Sequence, residues 1–206
     1  MQDKRHLMII PIIHTSADFG SLGSNTRVDP EYETRAIDYW RLVFEYVQQL
    51  PLDFPKLTIY QDGLPDTATE IIMRIVNETQ TPNYELLRWC RNKGAHIRGT
   101  EDPSLLVQEY HALQAIFNAE NEEQKGMARL EYAKVSQILL EERDEYIANR
   151  IRTTLPEGGS GLLFLGLAHD IKCLLEQEMK VTEPEGLIDG SSESLREKLS
   201  GKERRL

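Results

Sequence analysis

The stretch Gly161-Leu162-Leu163-Phe164-Leu165-Gly166-Leu167-Ala168-His169-Asp170 is apolar until a glycine, and then presents a histidine and an aspartate. A short apolar run bounded by glycines reads as a buried strand. Apolar side chains on both faces are the habit of a parallel strand covered by helices on each side. Residues 171–179 continue as a helix, so His169 and Asp170 fall where strand hands over to helix. In open α/β sheets, ligands bind at the carboxyl ends of the strands.

Further strands are predicted over residues 7–13, 57–60 and, weakly, 95–98. Pro11 cannot donate to a ladder, which marks an edge or a strand end. Asp29-Pro30 starts a helix that carries Tyr32, Ala36, Tyr39, Trp40, Val43, Phe44, Val47 and Leu50 at helical spacing. Thr67 with Glu70 fits a capping box. Thr81-Pro82 opens a third helical segment, which Gly94 ends. Asp102-Pro103 opens the next, with Leu105, Leu106, Tyr110, Leu113 and Phe117 on one side. Residues 118–126 are the turn of a helical hairpin whose return helix covers 127–155. The order implies an α/β fold. It has a mostly parallel sheet of four or more strands, helices on both faces, and a long hairpin inserted before the last core strand. One domain over 1–180 and a polar tail over 181–206, disordered or weakly helical, complete the expected organisation.

Bulk properties narrow the function classes. A net charge of −10 over 206 residues argues against nucleic acid or an anionic membrane as partner. Cys90 and Cys173 form no CxxC or CxxH pattern, which points to a reducing compartment and away from structural zinc. No apolar run approaches the roughly 20 residues of a membrane span, and the first apolar run lacks a cleavage site for a signal peptide. The expected location is cytoplasmic.

Each strand ends in groups able to do chemistry: His14, Asp62, Glu101 with Asp102, and His169 with Asp170. In a parallel sheet these ends share one rim. Imidazoles with carboxylates suit a divalent transition metal such as Zn, Mn or Co. The same set without a metal gives a base, an orienting carboxylate and a bound water. Each residue also has a plainer reading. Asp102 precedes a proline as an N-cap would, Asp62-Gly63 looks like a turn, and the two histidines could be structural or capping. Glu101 has no such role to play. Arg143 lies with Leu139 and Ile147 at i, i+4 spacing, so it falls on or beside an apolar stripe. There it would pair with Glu101, bind a substrate oxygen, or snorkel at the stripe's edge. The segment Phe19-Gly20-Ser21-Leu22-Gly23-Ser24 lacks a GK[ST] ending and reads as a loop over the strand ends. Ser16 and Ser21 have no GxSxG context as nucleophiles.

The segment Glu142-Arg143-Asp144-Glu145-Tyr146-Ile147-Ala148-Asn149-Arg150-Ile151, followed by Gly166-Leu167-Ala168-His169, resembles the TraB/Tiki, ChaN and erythromycin-esterase-like superfamily. Its members carry an arginine-bearing helix followed by a strand and a GxxH motif. They also have an earlier strand ending in GxxH; Pro11-Ile12-Ile13-His14 stands in that place, with proline for the usual glycine. Asp62 corresponds to an acidic residue closing the second strand, more often glutamate in the family. The family includes metal-dependent proteases, an esterase and haem-binding proteins. The resemblance spans residues 7–179 and implies a hydrolase-like site built from His14, Asp62, Glu101, Arg143 and His169.

The leading expectation is a hydrolase, peptidase- or esterase-like, acting on a small molecule or peptide. His14 and His169 would hold a metal or act as base. Glu101 or Asp62 would complete the ligand set or position water, with Glu101 the first choice as third ligand. Arg143 would steady an oxyanion or a carboxylate. Two rivals belong to other classes. One is a module that binds a small ligand without turnover. The other is an assembly subunit that meets a second copy or another protein through the long hairpin.

Overall fold

The computed structural model describes residues 5–14, 30–184 and 187. Five strands form one all-parallel sheet: His6–Ile12 (β1), Leu57–Gln61 (β2), His96–Arg98 (β3), Ser160–Gly166 (β4) and Lys180–Thr182 (β5). The order is β3-β2-β4-β1-β5. The apolar run read first in the sequence is thus the central strand, buried throughout residues 161–166. The chain leaves β1, places β2 two positions away, adds β3 outside it, and returns to fill the gap with β4. All the strands point the same way, so the ends of β1, β2, β3 and β4 share one rim.

Helices cover both faces. Alternation along β1 and β4 sends Ile10, Ile12, Leu162 and Phe164 to one side. There they meet Trp40, Val43 and Val47 of the helix Pro30–Gln49 (α1). Ile72 and Val76 of Thr69–Glu78 (α2), and Leu86, Leu87 and Cys90 of Pro82–Asn92 (α3), join the same core. The helical hairpin is made of Pro103–Phe117 (α4) and Glu122–Thr154 (α5). Leu7, Ile9, Leu163 and Leu165 face the other way, onto Ile147, Ala148 and Ile151 of α5 and Leu175 of the short helix Lys172–Leu175 (α6). Among the described residues, no helix is long and apolar enough to cross a membrane.

Several local readings hold. Asp102 is an N-cap, its Oδ1 accepting from Ser104 N at 2.7 Å. Gly94 ends α3 at φ 107°, where a side chain is strained. Pro11 lies past the last β1 residue that β5 pairs with, Met8, so among the described residues β4 is its only strand partner. Helix α1 takes over beyond β5. Tyr39 OH donates to Pro11 O at 2.5 Å, Trp40 Nε1 to Ile13 O at 2.9 Å, and Tyr32 OH to His14 O at 3.0 Å.

Other readings are corrected. The capping box does not form: α2 begins after Ala68, with no side-chain cap. The preceding residues are held instead by Asp66, whose N–H donates to Glu101 O and whose carboxylate accepts from Tyr146 OH. The hairpin turn is only residues 118–121, because Asn121 caps α5 through Gln124 N. The helix expected over 171–179 is a single turn, since the chain must bring Lys180 beside Arg5, whose carbonyl accepts from Lys180 N at 2.9 Å. Strand β5 lies where a polar tail was expected to start; three residues are too few to show a period. The loop 18–27 with its serines, the Asp29 cap and residues 188–206 lie outside the described residues.

Gly99 joins β3 to the rim. A Cβ there would collide with Pro65 O and Asp66 Cα, which are backbone atoms that cannot swing aside. Gly99→Ala is expected to cost about 2 kcal/mol or more in urea unfolding; a loss under about 0.5 kcal/mol would contradict this packing.

Candidate functional site

The rim is built by two zipped loops. Thr100 N and Glu101 N donate to Leu64 O, Asp66 N donates to Glu101 O, and Thr100 Oγ1 accepts from Gln61 N. This seats Asp62 and Glu101 side by side, at 6% and 0% exposure. The turn that releases Asp62 uses Gly63 at φ 74°, whose N–H donates to Glu101 Oε1 at 2.7 Å.

Arg143 comes up from α5 between them, itself buried. Its Nε donates to Glu101 Oε2 at 2.5 Å and its Nη2 to Glu101 Oε1 at 2.7 Å, a two-pronged pair. Nη2 also donates to Asp62 Oδ1 at 3.0 Å, and Nη1 to Glu109 Oε2 on α4 at 2.5 Å. Asp62 Oδ2 accepts from Gly166 N at 2.8 Å. His14 Nε2 lies 3.4 Å and His169 Nε2 3.6 Å from that same oxygen. The far nitrogen of His169, Nδ1, meets Asp144 Oδ1 at 2.5 Å, and Asp144 Oδ2 accepts from Asp170 N. A proton on Nδ1 satisfies Asp144 and turns Nε2 toward Asp62.

All five residues chosen from the sequence meet at the rim: His14, Asp62, Glu101, Arg143 and His169. Asp170 does not join; its side chain is exposed and only its N–H serves, on Asp144. Sequence reasoning missed Asp144 and Glu109. Asp144 falls at i, i+4, i+7 with Ala148 and Ile151, the buried stripe of α5. Glu109 is four residues from both Leu105 and Leu113, inside the stripe assigned to α4. A charged residue at stripe spacing was the signal in each case.

Glycine at 166 is a matter of space. A Cβ there would lie 2.6 Å from Asp62 Oδ2 and 3.2 Å from His14 Nε2. The space in front of the carboxylate and the ring is thus kept clear by the absence of a side chain.

The charges are tightly set. Burial works against an anion at Asp62, but His169, His14 and Arg143 outweigh it and hold the carboxyl well below its usual value. Glu101 goes the other way: burial, with Asp62 adding to it, outweighs Arg143 and pushes it up to about 7. Burial lowers His169, but Asp62 and Asp144 more than compensate and raise it. One atom each from Asp62, Glu101 and His169 lie within 4.8 Å of one another, close enough for a shared metal ion.

Two outcomes follow for protein kept in a chelator. Arg143→Met strands three carboxylates and is expected to cost about 3–5 kcal/mol; a loss near zero in urea unfolding would contradict the arrangement. The pH dependence has a definite sign. The raised Glu101 contributes stability that is full below 4.5 and lost as pH rises through about 7. Raised His169 acts in the same sense above 6.5. Lowered Asp62 contributes above 3.8 and loses that contribution as pH falls below it. Melting temperature should therefore decline from mildly acid to mildly alkaline pH, and Glu101→Gln should flatten the decline; an equally steep decline in that variant would contradict the assignment.

No protein-family model, curated protein or solved structure matches this chain.

Proposed function

We propose that the chain is a hydrolase with its site at the carboxyl ends of β1, β2 and β4, dependent on a Zn, Mn or Co ion that His14, His169 and Asp62 would hold. One observation carries the reading: two imidazole nitrogens approach a single carboxylate oxygen, at 3.4 Å and 3.6 Å. Donors that each bind one ion at about 2 Å stand roughly 3–3.5 Å apart, a spacing each ring already has to Asp62 Oδ2; binding one ion would draw the two rings toward each other. Asp144 on His169 Nδ1 supports it, because a ligating imidazole is normally fixed by a carboxylate on its other nitrogen. Asp62 is preferred over Glu101 as the carboxylate ligand. Arg143 holds both Glu101 oxygens, whereas Asp62 Oδ2 carries a single backbone N–H, that of Gly166, and faces the rings. The GxxH-type resemblance points the same way.

A bound metal of this kind supplies a hydroxide near neutral pH. The rest falls to the protein. Asp144 holds the proton on His169 Nδ1 and leaves Nε2 to face the centre. Arg143 anchors Asp62 through Oδ1 and leaves Oδ2 turned to the rings. Gly166 keeps the approach open. A cavity of about 370 Å³, lined by Ile9, Pro11, Leu165, His169 and Lys172 among others, opens beside His169 and has room for a small substrate or a peptide end. The same cavity serves the rival reading, a small ligand held without turnover, and product formation separates the two.

The test is hydrolysis of an ester and peptide panel by metal-loaded protein. Wild type should turn over at least one substrate, and His14→Ala and His169→Ala should each lose about 100-fold or more. Asp144→Asn should bind metal about 10–100-fold more weakly. Unchanged turnover in both histidine variants, or stabilisation by panel members without any product, would overturn the proposal.

A further inference from the structure

Helix α5 is apolar on two opposite sides. One side packs on α4 and the sheet, burying Leu139, Ile147 and Ile151, with Tyr132 OH donating to Glu109 Oε1 of α4. On the other, Met127, Leu130, Val135 and Ile138 are exposed, Met127 by 62% and Leu130 by 66%. At about 100° per residue these four fall within roughly 140° of arc, with Glu131 and Lys134 between them.

The order of this stripe reads the same from either end. Met127 and Leu130 lead in, Glu131 and Lys134 hold the middle, and Val135 and Ile138 lead out. The geometry points to a homodimer in which α5 packs antiparallel on α5 of a second copy, about a two-fold axis level with Tyr132 and Ala133. Met127 then stands level with the partner's Ile138, and Glu131 with the partner's Lys134. The axis makes each pairing occur twice. Leu130 and Val135 flank the seam, one on each side. Parallel, in-register packing would instead set glutamate on glutamate and lysine on lysine, which is unfavourable. Within one chain, Glu131 and Lys134 already pair at 2.5 Å, with both side chains mostly exposed. Such an exposed pair contributes little, so exchanging it for pairs across the seam costs little. Two helices meeting over this length bury on the order of 1000 Å², the lower end for a specific complex. A micromolar rather than nanomolar dimer is expected.

The test is sedimentation velocity over about 1–100 μM, with circular dichroism melts as a folding control. Wild type should pass from monomer to dimer across that range. Glu131→Lys and Lys134→Glu each place like charges across the seam and should leave a monomer that melts like wild type. The double variant Glu131→Lys with Lys134→Glu should dimerise again. A wild type that stays monomeric at about 100 μM would overturn the inference and leave the stripe to a different protein. A dimer that survives Leu130→Glu, or a double variant no better than the singles, would overturn it too.

Discussion

A buried guanidinium decides how the rim of this sheet is built. Arg143 stands on the core-facing side of a long helix, out of water, and a cation there is tolerated only if its donors are met. Three carboxylates from three different parts of the chain meet them: Asp62 after β2, Glu101 after β3 and Glu109 on α4. Each carboxylate is held in turn. Gly63 N–H fixes Glu101, Gly166 N–H fixes Asp62, and Tyr132 fixes Glu109. The arginine thus ties the hairpin to two strand ends.

The same tie divides the two neighbouring acids into different jobs. Glu101 turns both its oxygens to Arg143, a structural pairing, while burial and Asp62 raise its proton affinity. Asp62 gives Arg143 one oxygen and presents the other to His14 and His169, remaining an anion. Around this point Asp62, Glu101, Glu109 and Asp144 gather about a single arginine and two imidazoles. This acidic excess favours a further cation or a protonated ring, against the cost of burial. Asp144 adds orientation, since His169 with a proton held on Nδ1 must direct Nε2 inward.

Much of this was legible in the sequence because parallel strands put their ends on one edge. The apolar run before His169 marked a buried strand, which the structure sets in the middle of the sheet, and each strand boundary named a rim residue. Arg143 stood out because a cation at core spacing demands a partner. What escaped notice had weaker signals. Asp144 sits in the acidic stretch Glu141-Glu142-Arg143-Asp144-Glu145, which looks solvated until its i, i+4 relation to Ala148 is considered. Strand β5 is three residues long, too short for alternation to show, and it exists only because β1 offers it an edge. The capping box at Thr67 failed for a tertiary reason: Asp66 is held by Tyr146 and Arg150 of α5, and the helix starts later.

The most direct test of this division of labour is the metal content of protein purified in the presence of Zn, Mn and Co, wild type beside Asp62→Asn and Glu101→Gln. The account predicts near-stoichiometric metal in wild type and in Glu101→Gln, and its loss in Asp62→Asn. Metal lost from Glu101→Gln but kept by Asp62→Asn would contradict the account, as would a wild type that takes up none.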